Sequence, residues 1–280
     1  MNSDGEPGCA RWHSTNLVGL PAGLLASTAF QAHPQPLRIA GVRETNAGLF
    51  ALLDRSTEPD EAREIFAHYM RLSFGLFKPE ASTAGAAGPA EARRWRTSYL
   101  KLLQGWGLDS NGPAGAVLKA WVESRFGLVP AFHKAPLQRF PSPAWIGYLE
   151  EKAAQRYQNN NVLQQLDLLF EFCQWMLQRH HVLGDGSPSV TLWRGSTRCE
   201  EQVVAGSLRE RRCTMRLNNL VSFSLSRDDA SCFGDWVLKA QVPLAKLLFV
   251  PGLINRFCLH GEGEVLAVGG DFDVEAHYEC

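Results

Sequence analysis

Three short pieces in the last third of the chain carry side chains that can do chemistry together. They are Leu192-Trp193-Arg194-Gly195-Ser196, Val221-Ser222-Phe223-Ser224-Leu225-Ser226 and Gly261-Glu262-Gly263-Glu264-Val265-Leu266. A guanidinium inside an apolar β run needs something anionic beside it, because burial without a partner is costly. Residues two apart on a strand share a face, so Ser222 and Ser224 present their hydroxyls together while Val221 and Phe223 turn to the core. Glu262 and Glu264 follow the same period where a Gly-rich loop enters a strand. Each piece alone has an ordinary explanation: an ion pair for the arginine, a solvent-facing edge for the serines, a solvated strand end for the carboxylates. Jointly, on three separate strands, they make a cation-anchored cleft in which a carboxylate lies against a hydroxyl. That suits cleavage of a glycosidic bond to a cationic leaving group. When nicotinamide departs from NAD the ribose becomes oxocarbenium-like, and a carboxylate gripping the 2′-hydroxyl stabilises that charge. A guanidinium can hold the dinucleotide phosphates by bidentate hydrogen bonds.

The elements that must position these residues change character along the chain. The first 45 residues mix Pro and Gly with short apolar runs and read as an irregular lead-in with little helix. From Pro59, with Asp60 and Glu61 in its first turn, the residues Ile65, Phe66, Tyr69, Met70 and Phe74 recur at helical spacing. Ala81 to Ala90 is built from small residues and reads as a flexible loop. Helices are expected at Ala92 to Leu103, Pro113 to Phe126, Pro143 to Tyr157 and Asn161 to His180, the last apolar nearly all round and so buried on several sides. After Gly184-Asp185-Gly186-Ser187-Pro188 the pattern becomes short β runs: Val190 to Trp193, Asn219 to Leu225, Trp236 to Val242, Leu247 to Val250, Glu264 to Val268 and Phe272 to Ala276. Short helices near Thr197 to Gly206 and Arg227 to Phe233 join them. The expectation is an α+β protein, with a mainly helical region over 1–185 and a β-rich region over 186–280.

Composition narrows the classes. In 280 residues, 45% hydrophobic and 20% charged, there is enough apolar material for a real core. Lys and Arg number 28 against 29 for Asp and Glu, a net charge of −1, so no overall field draws nucleic acid or an anionic membrane. Seven cysteines with no C-x-x-C pair read as reduced thiols. Neither a signal peptide nor a membrane span is visible, so the expectation is a cytoplasmic protein without membrane insertion. The phosphate-cradling G-x-x-x-x-G-K-[ST] loop, the dinucleotide G-x-G-x-x-G, the G-x-S-x-G elbow and H-E-x-x-H are all absent, and no metal site is expected.

The ordered set Arg194, Ser222-Phe223-Ser224 and Glu262-Gly263-Glu264 resembles the R-S-E class of mono-ADP-ribosyltransferases, from about Leu192 to Val268. Ala230-Ser231-Cys232-Phe233-Gly234 looks like that class's nicotinamide loop, and Trp236 to Pro243 like its next strand. The middle of the S-x-S motif is Phe223 here instead of the frequent Thr, which leaves both hydroxyls in place. The resemblance implies a two-sheet β core of the ADP-ribosyltransferase type with NAD as substrate. It implies Arg194 on the NAD phosphates, the backbone of Gly195 at the carboxamide, Ser222 orienting the catalytic carboxylate with Ser224 in support, and Phe233 stacked on nicotinamide or, equally, packed as a core aromatic. Glu264 would be the catalytic carboxylate. Glu262 would mark an arginine acceptor, where a carboxylate must orient the guanidinium and take its proton. Phe257, in the loop before E-x-E, would recognise the acceptor or merely pack.

The helical part, the lead-in His13-Ser14-Thr15-Asn16-Leu17-Val18-Gly19-Leu20-Pro21 and the ending Glu275-Ala276-His277-Tyr278 narrow the match. They resemble the dinitrogenase reductase ADP-ribosyltransferases of nitrogen-fixing bacteria over essentially the whole length. That implies an arginine of the nitrogenase iron protein as acceptor, switching off nitrogen fixation, and a P-II signalling protein as activator. The cluster Arg209, Arg211, Arg212 and Arg216 reads as a solvated basic face before it reads as a docking surface.

Overall fold

The computed structural model describes residues 11–77, 89–154, 160–183, 186–197, 199–254 and 263–279. Helices α1 (Ala22–Leu25), α2 (Thr28–Ala32), α3 (Val42–Thr45), α4 (Ala47–Leu53), α5 (Pro59–Phe74), α6 (Pro89–Arg96), α7 (Tyr99–Leu108) and α8 (Pro113–Phe126) come first. A two-residue hairpin, β1 (Phe132–His133) and β2 (Ala135–Pro136), precedes α9 (Pro143–Lys152) and α10 (Asn160–His180). The rest is β3 (Ser189–Ser196), β4 (Val203–Ser207), β5 (Arg212–Arg216), β6 (Leu220–Ser224), α11 (Arg227–Ser231), β7 (Trp236–Pro243), β8 (Leu247–Phe249), β9 (Glu264–Val268) and β10 (Asp271–Tyr278). The chain is α+β, with its helices concentrated before residue 185 and its large sheet after it.

The helix punctuation follows the residues. Both α5 and α8 start with Pro in the first turn and end on a left-handed glycine, Gly75 at φ 63° and Gly127 at φ 72°, a conformation that costs glycine little. The single helix expected over Ala92 to Leu103 is two. Thr97 and Ser98 donate their hydroxyls to the carbonyls of Arg94 and Trp95, which closes α6 and lets α7 start afresh. The irregular lead-in also contains more helix than expected, because Pro21 opens α1 and the Ser27 hydroxyl caps α2. The expected helix over Thr197 to Gly206 is instead a 3-10 turn at Cys199–Gln202 running into β4. The arginine-rich stretch Arg212 to Arg216 is β5: Cys213 and Met215 point inward, and the arginines at its two ends hid the alternation. Arg216 there is paired bidentately with Asp271. The Ala81 to Ala90 loop lies mostly outside the described residues.

All eight strands of the main sheet pair antiparallel in the order β4-β5-β10-β7-β3-β6-β9-β8. Its middle is pinched: β3 and β6 meet at one residue pair, Trp193 opposite Ser224. Five strands therefore lie on one side of a seam and three on the other, but they form one pinched eight-stranded sheet where the resemblance implied two sheets. The seam leaves Arg194 and Gly195 facing space on one side and Ser222 on the other.

Helix α10 locks the helices onto the sheet. Its apolar residues Leu166, Leu169, Phe170, Phe172 and Met176 are buried in a core shared with Leu247, Val265 and Phe272 of the sheet. Its buried polar residues each hold another element. The Glu171 carboxylate takes Arg43 at 2.6 Å and the Ile39 amide at 2.7 Å. Asp167 accepts from the Trp121 indole and, bidentately, from Arg125, and Gln174 donates to the carbonyls of Leu244 and Leu247. Paired in this way, buried polar groups specify where each element sits. No helix among the described residues is long and apolar enough to cross a membrane.

Candidate active site

A cavity of about 860 Å³ opens at the seam, lined by Arg194 and Gly195 of β3, Ser222 and Ser224 of β6, Glu264 at the start of β9 and Trp106 of α7. In the β6–β9 ladder Ser222 lies opposite Leu266, and Ser224 opposite Glu264. Ser222 nevertheless reaches Glu264 along the diagonal, its Oγ donating to Oε1 at 2.7 Å. Ser224 does something else: its Oγ accepts from the Ser226 amide at 3.0 Å and starts the turn into α11.

Arg194 braces the gap in the sheet. Its Nη1 donates to the Ser222 carbonyl oxygen at 2.7 Å, replacing a ladder bond that β3 does not supply beyond Trp193. Its Nε is buried without a hydrogen-bond partner among the described residues. Burial lowers its pKa below the usual arginine value, and the Glu264 charge opposes that shift. A guanidinium held so, still charged and with donors to spare, fits an anionic ligand group in the cavity.

Gly195 is glycine for a packing reason. A Cβ there would fall 1.9 Å from the Ala230 carbonyl oxygen, because the end of α11 lies directly on β3. Gly234 is clamped likewise, its virtual Cβ 2.3 Å from the Ser196 carbonyl carbon. These two approaches hold the 230–234 loop over the cavity mouth. Phe233 is 72% exposed at that rim, so it is not a core aromatic.

The helical part supplies the opposite wall. Lys119 is 1% exposed; its Nζ donates to Asn111 Oδ1 at 3.1 Å and lies 3.3 Å from His133 Nδ1. Since an ammonium only donates, Nδ1 accepts, and the His133 Nε2–H faces Glu151 at 2.9 Å. Burial brings the Lys119 pKa down to about 8, against the pull of Asp109 and Glu151. Trp106 sends its indole N–H to Ser222 Oγ at 2.9 Å.

The match to a family model decides the kinship: residues 15–276 fit the dinitrogenase reductase ADP-ribosyltransferase family. The chain belongs to that family. It is also 46% identical, over 278 residues covering 99% of this chain and 100% of the relative, to the NAD(+)-dinitrogen-reductase ADP-D-ribosyltransferase of Rhodospirillum rubrum. No solved structure matches the chain.

Of the positions that the resemblance to ADP-ribosyltransferases singled out, Arg194, Gly195, Ser222, Ser224, Phe233 and Glu264 come together around one cavity. Glu262 and Phe257 lie outside the described residues. Sequence reasoning missed Trp106, Asn111 and Lys119. The signal for Trp106 was its setting, Gly105-Trp106-Gly107: glycines flanking a tryptophan at a helix end mark a close approach of backbones. Nothing in the local sequence marked Lys119 or Asn111.

Proposed function

We propose that this chain transfers ADP-ribose from NAD to an arginine of dinitrogenase reductase, the nitrogenase iron protein, and so switches nitrogen fixation off. The observation that carries the reading is the contact of Glu264 with Ser222 in one cavity beside a buried Arg194, whose Nε has no partner among the described residues. The family and a relative whose name specifies dinitrogen reductase supply the acceptor.

In this reading Arg194 holds the NAD phosphates, and Phe233 covers nicotinamide while the Gly195 backbone meets its carboxamide. Glu264 accepts from the ribose 2′-hydroxyl. The bond from C1′ to the nicotinamide nitrogen breaks with its electron pair going to nicotinamide, which leaves neutral, and the Glu264 carboxylate stabilises the ribosyl cation. A guanidinium nitrogen of the acceptor then bonds to C1′ and gives up a proton to Glu262. Phe257 takes part in recognising the acceptor. Residues 1–185 form the docking and regulatory part, a P-II signalling protein is the activator, and the location is cytoplasmic; these rest on the family resemblance.

The test is nicotinamide release from NAD with and without dinitrogenase reductase. The reading expects release that the iron protein stimulates, with transfer to it. Release that ignores the iron protein, or none in its presence, contradicts the choice of acceptor or the activity itself.

A further inference from the structure

We infer that Trp106, on the helical part of the chain, is a positioning residue for the catalytic carboxylate: it fixes the single proton of Ser222 so that the hydroxyl donates to Glu264. The inference rests on the transferase reading above and deepens it.

Donor and acceptor chemistry fixes the direction of these hydrogen bonds. An indole N–H can only donate. Trp106 Nε1 lies 2.9 Å from Ser222 Oγ, so that oxygen is the acceptor. The Ser222 hydroxyl has one hydrogen left to give, and Glu264 Oε1 is 2.7 Å away. The relay from Trp106 to Ser222 to Glu264 therefore runs in one direction. Without the indole N–H, the hydroxyl is free to turn its hydrogen elsewhere, and the carboxylate loses its fixed orientation toward the ribose.

The tryptophan is itself held closely. It is 4% exposed, and Lys119 Nζ lies 5.9 Å from its ring centroid. On the preceding residue, Gly105, a Cβ would fall 2.5 Å from the Ala114 Cβ, and on Gly115 a Cβ would fall 2.1 Å from the Ser110 carbonyl oxygen. These approaches set the depth of α7 against α8. The other end of β6 is tied to α8 and the residues just after it, since the Asn219 amide donates to the carbonyls of Lys119 and Leu128. The seating of α7 on α8 thus reaches the carboxylate through two successive hydrogen bonds.

The experiment compares Trp106→Phe, Ser222→Ala and the double variant for nicotinamide release from NAD. Phenylalanine keeps an aromatic ring and removes the donor. The expected result is a kcat lower by about tenfold, the scale of one lost hydrogen bond serving a charged group, with KM for NAD within about twofold. In the Ser222→Ala background, Trp106→Phe is expected to cost nothing further, because the relay is already cut. If the tryptophan only packed, the two losses would multiply, and that result overturns the inference. Full activity of Trp106→Phe overturns it as well while leaving the transferase reading intact. No nicotinamide release from the wild-type protein overturns both. Should Trp106→Phe unfold the protein, 3-benzothienylalanine at position 106 has the indole's shape without its N–H and takes its place in the same comparison.

Discussion

Ser222 meets Glu264 across the diagonal of the β6–β9 ladder, Oγ to Oε1 at 2.7 Å, while the residue directly opposite Glu264 is Ser224. The two serines of the motif therefore have separate tasks. Ser222 touches the carboxylate, whereas Ser224 accepts the Ser226 amide where the chain turns into α11.

That division predicts different losses. Ser222→Ala should lower kcat for nicotinamide release by about a hundredfold, the scale of removing one aimed donor, with melting little changed. Ser224→Ala should lower the melting temperature and cost activity by less than about tenfold, the equivalent of a turn bond of about 1 kcal/mol. Steady-state kinetics beside thermal unfolding separates the two; equal kinetic losses would remove the distinction.

Arg194 supplies a second test, because it holds the Ser222 carbonyl and its Nε has no hydrogen-bond partner among the described residues. Arg194→Lys retains the charge but not the planar fork of donors. The expected outcome is a rise of about tenfold or more in KM for NAD, larger than the fall in kcat. A KM that stays at the wild-type value would show that the guanidinium does not hold the dinucleotide.

Gly195→Ala would push a methyl group to within 1.9 Å of the Ala230 carbonyl oxygen. Backbone must move to admit it, so stability should fall by roughly 2–4 kcal/mol, and the 230–234 loop with Phe233 should shift off the cavity. Urea unfolding together with NAD titration reads both effects. A stable variant with normal NAD affinity would contradict the packing account of this glycine.

Lys246 gives a pH signature. It is fully buried, donates to the Gly269 carbonyl at 3.1 Å and lies 4.7 Å from the Phe272 ring centroid; burial brings its pKa down to about 7. Between that value and the unfolded one near 10.4, the unfolded chain binds the proton that the folded chain has lost, so stability rises with pH across this window. The contribution approaches about 1.4 kcal/mol per pH unit and levels off at either end. Lys246→Met should flatten this rise between pH 7 and 9 in denaturant titrations, leaving the smaller slope due to Lys119. Parallel curves for variant and wild type would exclude Lys246 as the source.

What the sequence disclosed follows from how local each signal is. Arg194, Ser222, Ser224 and Glu264 were legible because strand alternation and short motifs set their spacing, and α5 and α8 because Pro opens them and Gly closes them. Strand β5 was hidden because arginines stand at both its ends, and α6 and α7 read as one helix because Thr and Ser like the Thr97 and Ser98 that part them also occur inside helices. Trp106 was marked only by its flanking glycines, and no local motif could tie it to the serine it serves, 116 residues away. A partner of that kind becomes visible only when the helical part is laid on the seam.

The central claim is tested most directly by the intact mass of purified dinitrogenase reductase after incubation with NAD and either this protein or its Glu264→Gln variant. The account predicts a gain of one ADP-ribose unit with the wild-type chain and none with the variant, which should fold normally. An unchanged mass with the wild-type chain, or an equal gain with Glu264→Gln, would contradict it.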